Sequence, residues 1–228
     1  MELFSIGHSN HDIDNFISLL QKHEVTAVAD VRSYPYSRFF AQFNRESLQK
    51  TLAKKGIKYV FLGGELGARP TNYDCYVDGK AVYERIAATD VFHEGIQRIQ
   101  HGLEQYRISL MCAEQDPLTC HRAVLVCQHL RHLDLPINHI LKDGGLESHE
   151  HLEDRMLLKH GFKEFAKVKE FQLSLFSPNN VPTREECLAK AYKLQGDKIA
   201  YVEKNQENEE SNQFIHNRFY SEKRAKVL

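Results

Sequence analysis

The sequence predicts an α/β fold: a mostly parallel, open sheet with helices on both faces, in a Rossmann-like three-layer arrangement, followed by a helical C-terminal appendage. Strand-like and helix-like segments alternate through the first two thirds of the 228 residues, the order that builds a parallel sheet from crossover connections. Hydrophobic residues make up 42% and charged residues 27%, which is ordinary for a soluble globular domain. Polar clusters follow several strands directly, as expected at the carboxyl edge of such a sheet.

Five strands and five helices account for the α/β region. Short apolar and β-branched runs predict the strands, at 3–6, 27–31, 59–62, 108–111 and 137–141. Apolar residues at helical spacing predict the helices, at 13–20, 45–54, 82–105, 123–130 and 152–160. Asp12 is the expected N-cap of the first helix, and Gly56 is expected to end the second. A glycine-rich, aromatic loop is expected from 63 to 79.

The chain is expected to divide into three parts. Residues 1–169 form the α/β domain, and residues 170–182 form a turn-rich linker. Residues 183–228 form a helix and a polar tail, whose Glu, Asn, Lys and Gln content is typical of a mobile segment. Thr183 and Glu186 have the spacing of a capping box, so the helix is predicted to begin there.

Charge and cysteine content narrow the function classes. A formal net charge of −1 excludes a globally basic surface, so a nucleic-acid site would have to be a local patch. No apolar run approaches the roughly 20 residues of a membrane-spanning helix, and the first residues lack the pattern of a secretory signal. Five cysteines, an odd number, favour reduced thiols. We therefore expect a cytoplasmic protein without a membrane partner.

The first polar cluster follows the first strand and consists of Gly7, His8, Ser9 and Asn10. The glycine allows a tight exit from the strand, and a helix begins soon after. Nearby amides, with Ser9 and Asn10, are therefore candidates to bind an anionic substrate. His8 is a candidate catalytic acid or base. The alternative is that His8 only hydrogen-bonds a loop carbonyl.

The second cluster follows the second strand. Asp30 ends a strand that is expected to be buried, where an ionised carboxylate needs a partner. Arg32, Arg38 or His8 could supply it. Asp30 is a candidate catalytic base. Arg32, Ser37 and Arg38, with two neighbouring tyrosines, are candidates to bind a phosphate or a base. The alternative for Asp30 is a structural ion pair that holds the loop.

The third cluster lies at residues 112–122, between the fourth strand and its helix. The helix begins at Cys120, His121 and Arg122, where amides and the helix dipole favour a negative ligand or a thiolate. Glu114 is a candidate general base or metal ligand, and His121 is a candidate for proton transfer. Arg122 is a candidate to hold a phosphate. Three polar clusters, each after a separate strand, together favour an active site.

Taken together, these blocks resemble the domain of unknown function 488 family. The segments that carry the resemblance are Gly-His-Ser-Asn at 7–10, Asp-Val-Arg at 30–32 with Pro35, Ser37 and Arg38, Tyr59 with Leu62-Gly63, Leu66-Gly67, and Cys112-Ala-Glu with Cys120-His-Arg. The resemblance covers residues 2–165 and implies the fold and the site, but it carries no reaction with it. Residues 66–70 depart from the paired glycines that are typical of the family.

Cysteine and metal chemistry are the alternatives for the third cluster. A strand, a cysteine loop and a helix are similar to the arrangement in rhodaneses, whose cysteine carries sulfur. Nearby carboxylates such as Glu114 are expected to raise the pKa of a Cys112 thiol, which argues against this reading. Cys112, Cys120 and His121 are also candidate ligands of a divalent metal, with His8 as a fourth. The sequence itself requires no cofactor, and Cys112 also fits the role of a small buried apolar residue.

A short peptide follows the α/β domain and consists of Gln172, Leu173, Ser174, Leu175 and Phe176. It resembles the Gln-Leu-Ser/Asp-Leu-Phe motif that many bacterial proteins insert into the DNA sliding clamp. In that mode the glutamine hydrogen-bonds at the rim of a pocket, while the leucine and phenylalanine side chains fill apolar subsites. The alternative is that these apolar side chains pack on the domain.

The leading hypothesis is an enzyme that acts on DNA or a nucleotide through a hydrolytic step at a glycosidic or phosphate bond. The sliding clamp would link it to DNA repair or replication. The expected catalytic residues are His8, Asp30, Glu114 and His121. The expected substrate-binding residues are Ser9, Asn10, Arg32, Ser37, Arg38 and Arg122. One alternative is a non-catalytic nucleic-acid-binding module, which would bind with strong salt dependence and without turnover. The other is a cysteine- or metal-dependent sulfur or redox enzyme.

Overall fold

The computed structural model describes residues 1–133, 135–165 and 182–203. Its strands are β1 (Leu3–Gly7), β2 (Ala27–Asp30), β3 (Lys58–Phe61), β4 (Tyr76–Val77), β5 (Lys80–Ala81), β6 (Ile108–Cys112), β7 (Ile137–Ile140) and β8 (Leu146–Ser148). Six of them form one sheet in the order β3-β2-β6-β1-β7-β8, while β4 and β5 form a separate antiparallel pair. Neighbours in the sheet are parallel except β7 and β8. The predicted α/β class with a mostly parallel open sheet is confirmed.

Within the described ranges, eight α-helices connect and cover the strands. They are α1 (Ile13–Lys22), α2 (Arg45–Ala53), α3 (Gly63–Leu66), α4 (Tyr83–Ala87), α5 (Asp90–Leu103), α6 (Gln128–Leu130), α7 (His149–Lys159) and α8 (Arg184–Ile199). A π-helical segment, Arg122–Cys127, leads directly into α6. Asp12 caps α1 by accepting from the amide of Asn15, and the predicted capping box at the start of α8 is present. No helix in the described ranges combines the length and apolar character that crossing a bilayer requires.

The structure departs from the sequence prediction in the helix over 82–105, in the loop after β3 and at one edge of the sheet. The single helix predicted over 82–105 is wrong, because Thr89 begins a new helix by accepting a hydrogen bond from the amide of Phe92. The expected loop after β3 contains the short helix α3 and the strand β4. The antiparallel edge strand β8 was not predicted, because its three residues are too few to show a strand pattern.

The sheet is covered on both faces, which produces three layers. The helices α1 and α2 pack on one face, where the apolar cluster consists of residues such as Phe4, Ile6, Phe16, Leu20, Leu48 and Leu52. The helices α5, α7 and α8 and the π-helical segment pack on the other, where the cluster includes Leu3, Leu110, Phe92, Val124, Leu152 and Leu188. Helix α8 is thus part of the main core. The predicted limits of the linker, 170 and 182, lie in or beside the stretch 166–181, which is outside the described residues.

The strand order creates a crevice at the carboxyl end of β6. The chain leaves β1 and β2 toward the face covered by α1 and α2. It leaves β6, which lies between these two strands, toward the opposite face. In open α/β sheets, ligands bind at the point where neighbouring strands send their connections to opposite faces. The fold therefore places a crevice, at the position where ligands bind in such folds, at the ends of β1, β6 and β2.

A chain of buried hydrogen bonds crosses the second face of the sheet. Its members are Ser5, His139, His149, Tyr192 and Glu153, with successive distances of 2.7, 3.0, 2.8 and 2.8 Å. Arg122 donates to the hydroxyl of Ser5 at one end, and the Glu153 carboxylate accepts at the other. Because an arginine only donates and a carboxylate only accepts, every bond of the chain must point the same way, which makes both histidines neutral Nε2–H tautomers. Burial lowers the pKa of both, that of His149 to about 3.

Candidate active site

Two glycines let the loops at the sheet edge approach closely. A Cβ on Gly7 would lie 1.9 Å from the carbonyl oxygen of Glu114, and one on Gly63 would lie 1.9 Å from that of Arg32. The amides of His8 and Ser9 donate to the carbonyls of Cys112 and Ala113 at 2.9 and 2.8 Å. The loops after β1 and β6 are therefore fixed against each other by their backbones.

Asp30 is held by a network of hydrogen bonds at the end of β2. Arg32 binds both of its carboxylate oxygens, with Nε–Oδ1 at 2.9 Å and Nη2–Oδ2 at 2.6 Å. The hydroxyl of Tyr59 donates to Oδ2 at 2.7 Å, and the amide of Arg32 donates to Oδ1 at 3.1 Å. This bidentate pair matches the structural ion pair considered as the alternative for Asp30. Whether the carboxylate also takes part in catalysis stays a prediction.

His8 is neutral and enclosed. Its Nδ1 bonds the carbonyl of Ser9 at 3.1 Å, so Nδ1 carries the proton and Nε2 accepts from Nη1 of Arg32 at 3.3 Å. The ring stacks on Phe43 with centroids 4.4 Å apart. Burial, helped by the charge of Arg32, lowers the pKa of His8 to about 4. His8 therefore makes the hydrogen bond to a loop carbonyl that was the alternative to a catalytic role. It also contacts Arg32 of the second cluster.

The third cluster brings four potential metal ligands together. Oε2 of Glu114 lies 3.1 Å from Sγ of Cys112 and 3.0 Å from Sγ of Cys120. Nδ1 of His121 lies 3.7 Å from Sγ of Cys112, and its Nε2 donates to the carbonyl of Val31 at 2.9 Å. The four ligand atoms all lie within 4.8 Å of one another. Of the predicted ligands, Cys112, Cys120 and His121 therefore converge, whereas His8 contacts Arg32 instead.

The two thiols of this cluster differ in acidity. Burial, with Cys120 and Glu114 nearby, raises the pKa of the Cys112 thiol well above its ordinary value. Burial alone would also raise the pKa of the Cys120 thiol. The hydrogen bond from Cys112 and the charge of Arg122 outweigh burial and bring this pKa well below its ordinary value. Burial also raises the pKa of the Glu114 carboxyl. Cys112 is therefore a poor candidate for a free nucleophilic thiolate, as a rhodanese-like reaction would need.

Arg122 is fully buried and holds the loop that carries Glu114. Its Nη1 donates to the carbonyl of Glu114 at 2.6 Å and its Nη2 to that of Gln115 at 3.1 Å. Its Nε donates to the hydroxyl of Ser5 at 3.2 Å. These bonds use all three nitrogens of the guanidinium to position the loop. The predicted contact of Arg122 with substrate phosphate is untested.

Two adjoining cavities open at this edge. The first, of about 300 Å³, is lined by Cys112, Glu114 and His121, and also by Arg69 and Tyr201. The second, of about 330 Å³, is lined by residues of the first and second clusters: His8, Ser9, Asn10, Ser37 and Phe40. Both cavities share Arg32, Tyr34, Tyr36 and Ala113. The three predicted clusters therefore face one continuous site.

A family model described as "Domain of unknown function DUF488" matches residues 12–128, just over half of the chain. The chain belongs to this family. No curated protein and no solved structure matches the chain significantly. The match confirms the predicted family over 12–128, a shorter span than the predicted 2–165. It includes Asp30, Arg32 and the whole third cluster, but stops before α7 and α8.

In this DUF488 chain, two residues outside the segment that the family model matches also line the first cavity. Ile199 and Tyr201, at and beyond the end of α8, line the first cavity, and the Arg69 guanidinium lies 4.3 Å from the ring centre of Tyr201. No motif marked Arg69 or Tyr201. The aromatic character of the loop before β5 was the only signal in the sequence, and it did not point to a specific residue.

Three predicted catalytic or substrate-binding residues of the DUF488 chain, Asp30, Arg38 and Arg122, are absent from the described lining of both cavities. Of these, Asp30 and Arg122 are buried and Arg38 is exposed. Ser37 does line the second cavity, and its hydroxyl also accepts from the amides of Phe39 and Phe40. The clamp-like peptide at 172–176, with Gln172, Leu173, Leu175 and Phe176, lies outside the described residues. Its docking role stays a prediction.

Proposed function

We propose that this DUF488 chain is an enzyme that hydrolyses a glycosidic or phosphate bond in a nucleotide or nucleic acid. The observation that carries the proposal is the pair of adjoining cavities at the crevice of the sheet. There Glu114 and His121 line the same space as Arg32, Tyr34 and Tyr36. A concave site with titratable groups at the switch point of an α/β sheet is the expected place for such a reaction.

Aromatic and basic side chains at the mouth of the site fit a nucleotide. Tyr34 is 70% exposed and Tyr36 is 42% exposed, and their ring centroids lie 5.3 Å apart. Exposed aromatic rings offer stacking surfaces for bases. Arg69 lines the first cavity and supplies positive charge for a phosphate, whereas the charge of Arg32 is compensated by Asp30. Positive charge confined to a local patch is consistent with the formal net charge of −1, which excludes a globally basic surface.

Glu114 is the proposed base of the hydrolytic step. Water attacks the carbon or phosphorus of the scissile bond, one of its protons passes to Glu114, and Glu114 then returns that proton to the departing oxygen or nitrogen. Burial raises the pKa of Glu114, which shifts it toward the range where a carboxyl group can both take up and release a proton.

The test of catalysis compares Glu114→Gln with Glu104→Gln, a matched change at an exposed position at the end of α5. Single-stranded DNA, duplex DNA with a damaged base, and free nucleotides serve as substrates. We expect Glu114→Gln to lower turnover by about 10²- to 10⁴-fold while substrate binding persists, and Glu104→Gln to match the wild type. Equal turnover of both variants on a substrate that the wild type cleaves would refute the role of Glu114.

A non-catalytic nucleic-acid-binding module is the second candidate function. Asp30 and His8 both hydrogen-bond to Arg32. A structural role for these two side chains favours a binding module over an enzyme. Fluorescence anisotropy with labelled single-stranded DNA separates the two proposals. Binding that weakens steeply with salt and with Tyr34→Ala, in the absence of any turnover, would establish the binding module instead.

Docking to the DNA sliding clamp through residues 172–176 is a separate part of the proposal. The sequence match supports it, together with the position of the peptide next to Pro178 in the predicted linker. A pull-down with purified clamp compares the wild type with Leu175→Ala, Phe176→Ala and the control Ser177→Ala. We expect the first two variants to lose binding and the control to keep it. Equal recovery of all four proteins would exclude docking through this peptide.

A further inference from the structure

We propose that Cys112, Cys120 and His121 bind one Zn²⁺ ion and that Glu114 stands beside the open fourth coordination position. The site itself is independent of the proposed function. Its chemical role, the activation of the water that attacks the substrate, rests on that function.

The donor set and its spacing fit zinc. Zinc prefers cysteine sulfur and histidine nitrogen, and catalytic zinc sites typically have three protein ligands and a fourth position for water. Sγ of Cys112, Sγ of Cys120 and Nδ1 of His121 lie within 4.8 Å of one another, with Nδ1 and Sγ of Cys112 at 3.7 Å. The 3.7 Å between Nδ1 and Sγ of Cys112 is close to the separation of two atoms that bind one ion tetrahedrally at bond lengths of about 2.0 to 2.3 Å. Two sulfur donors also disfavour magnesium and calcium, which prefer oxygen.

The surroundings of the ligands are those of a metal site. Nε2–H of His121 donates to the carbonyl of Val31 at 2.9 Å, which leaves the lone pair of Nδ1 directed at the sulfur atoms. Metal-binding histidines commonly make this second bond, because it fixes the tautomer and the ring orientation. The amide of Arg122 donates to Sγ of Cys120 at 3.5 Å. These two hydrogen bonds therefore hold His121 and Cys120 in place.

The other cysteines of the chain lack these partners. All five cysteines are buried in the apolar cluster on the second face of the sheet. Among them, Cys112 and Cys120 also share one carboxylate oxygen of Glu114 and lie beside His121. Apolar packing alone does not require two thiols, an imidazole and a carboxylate around one point. A divalent cation supplies the positive charge that would compensate two thiolates at a buried position.

The open position faces the first cavity, which Cys112, Glu114 and His121 line. Zinc lowers the pKa of a bound water to about 7, so hydroxide becomes available at neutral pH. Oε2 of Glu114, at 3.0 to 3.1 Å from both sulfur atoms, is close enough to accept the proton that this water releases. Glu114 then keeps the role it has in the proposed function, and the ion adds the activation of the nucleophile.

Metal content tests the assignment. The full chain is purified under reducing conditions, stripped with a chelator, reloaded with Zn²⁺ or Co²⁺, and analysed by mass spectrometry of metals and by absorption. We expect one ion per chain and a cobalt–thiolate charge-transfer band for the wild type, for Glu114→Gln and for the control Cys75→Ala. The pair of substitutions Cys112→Ser and Cys120→Ser should remove both the ion and the band, with circular dichroism confirming that this variant folds.

Several outcomes would overturn the site. A wild-type chain that retains no metal and shows no cobalt–thiolate band excludes it, whether or not the cysteine variant folds. A Cys112–Cys120 disulfide in the reduced, reloaded protein would also exclude it, and loss of the ion in Glu114→Gln would refute the three-ligand assignment. Stoichiometric zinc without hydrolysis of any nucleotide substrate keeps the site and refutes the proposed function. Hydrolysis that survives complete metal removal keeps the function and refutes the proposed role of the ion in activating water.

Discussion

Gly7 occupies a tight position at the sheet edge, because the backbone of the third cluster passes directly over it. A Cβ there would meet the carbonyl oxygen of Glu114 at 1.9 Å, and backbone cannot move aside as a flexible side chain can. We predict that Gly7→Ala destabilises the protein by more than about 2 kcal/mol, through backbone shifts of the loop that carries Glu114. The control is Gly64→Ala, where an added Cβ meets nothing within 4 Å.

Urea unfolding followed by circular dichroism measures both glycine variants. Gly64 lies in a helix at a position where alanine fits, so Gly64→Ala should be neutral or stabilising by up to about 1 kcal/mol. If both variants unfold at the same urea concentration, the close approach of the two loops is not a constraint on the fold.

The contacts of single residues could be predicted only where burial forces a partner. A carboxylate at the end of a buried strand requires a cation, and Asp30 pairs with Arg32 as the sequence suggested. The contacts of Arg122 could not be predicted in the same way. Its position at a helix start suggested a phosphate contact, whereas its guanidinium turns inward to loop carbonyls brought near by the fold.

At the scale of elements, α8 is joined to the sheet by more than apolar packing. Tyr192 donates to Glu153 and accepts from His149, so its hydroxyl links α8 to two turns of α7. We predict that Tyr192→Phe lowers the free energy of unfolding by about 1 to 3 kcal/mol, because it leaves a buried carboxylate with one donor fewer. Calorimetry of Tyr192→Phe against Tyr73→Phe, at an exposed position, measures the effect. A Tm equal to that of the control would show that the hydroxyl contributes nothing.

Long periodic elements were predictable and short ones were not. The capping box of α8 and the N-cap of α1 are local signals, so both helix starts were correct. The break at Thr89 is also local, but the helical pattern on both sides concealed it. The edge strand β8 depends on pairing with β7, which is information that three residues do not contain.

For the whole molecule, buried neutral histidines make stability depend on pH. Burial lowers the pKa of His8 to about 4 and that of His149 to about 3, while an unfolded histidine titrates near 6.5. The unfolded chain therefore binds more protons below pH 6.5, and stability falls as pH falls from 6.5 toward 4. Each of these histidines contributes a loss of about 2 kcal/mol between pH 6.5 and pH 5.

Urea unfolding at pH 7 and at pH 5 checks this dependence. His149→Gln should reduce the difference between the two pH values, whereas His93→Gln, at an exposed position on α5, should leave it unchanged. A wild-type chain equally stable at both pH values would contradict the neutral state of the buried histidines.

The assembly of the site is a property of the whole sheet. The sequence placed each polar cluster after a strand, which was enough to predict a shared edge. It did not contain the strand order, and the position of β6 between β1 and β2 is what brings Cys112, Arg32 and His8 around one crevice. Tyr201 forms one wall of the first cavity. Its place there could not be predicted either, because nothing in the sequence around Tyr201 relates it to β6.

That wall has a consequence for how the protein is made. Chains fold from the N-terminal side while the ribosome is still extending them. The sheet from β1 to β7 can form before α8 and Tyr201 have left the ribosome, but the first cavity then lacks one side. A nascent chain therefore presents an incomplete first cavity. Translation itself delays completion of that cavity until residue 201 has been added and α8 has docked.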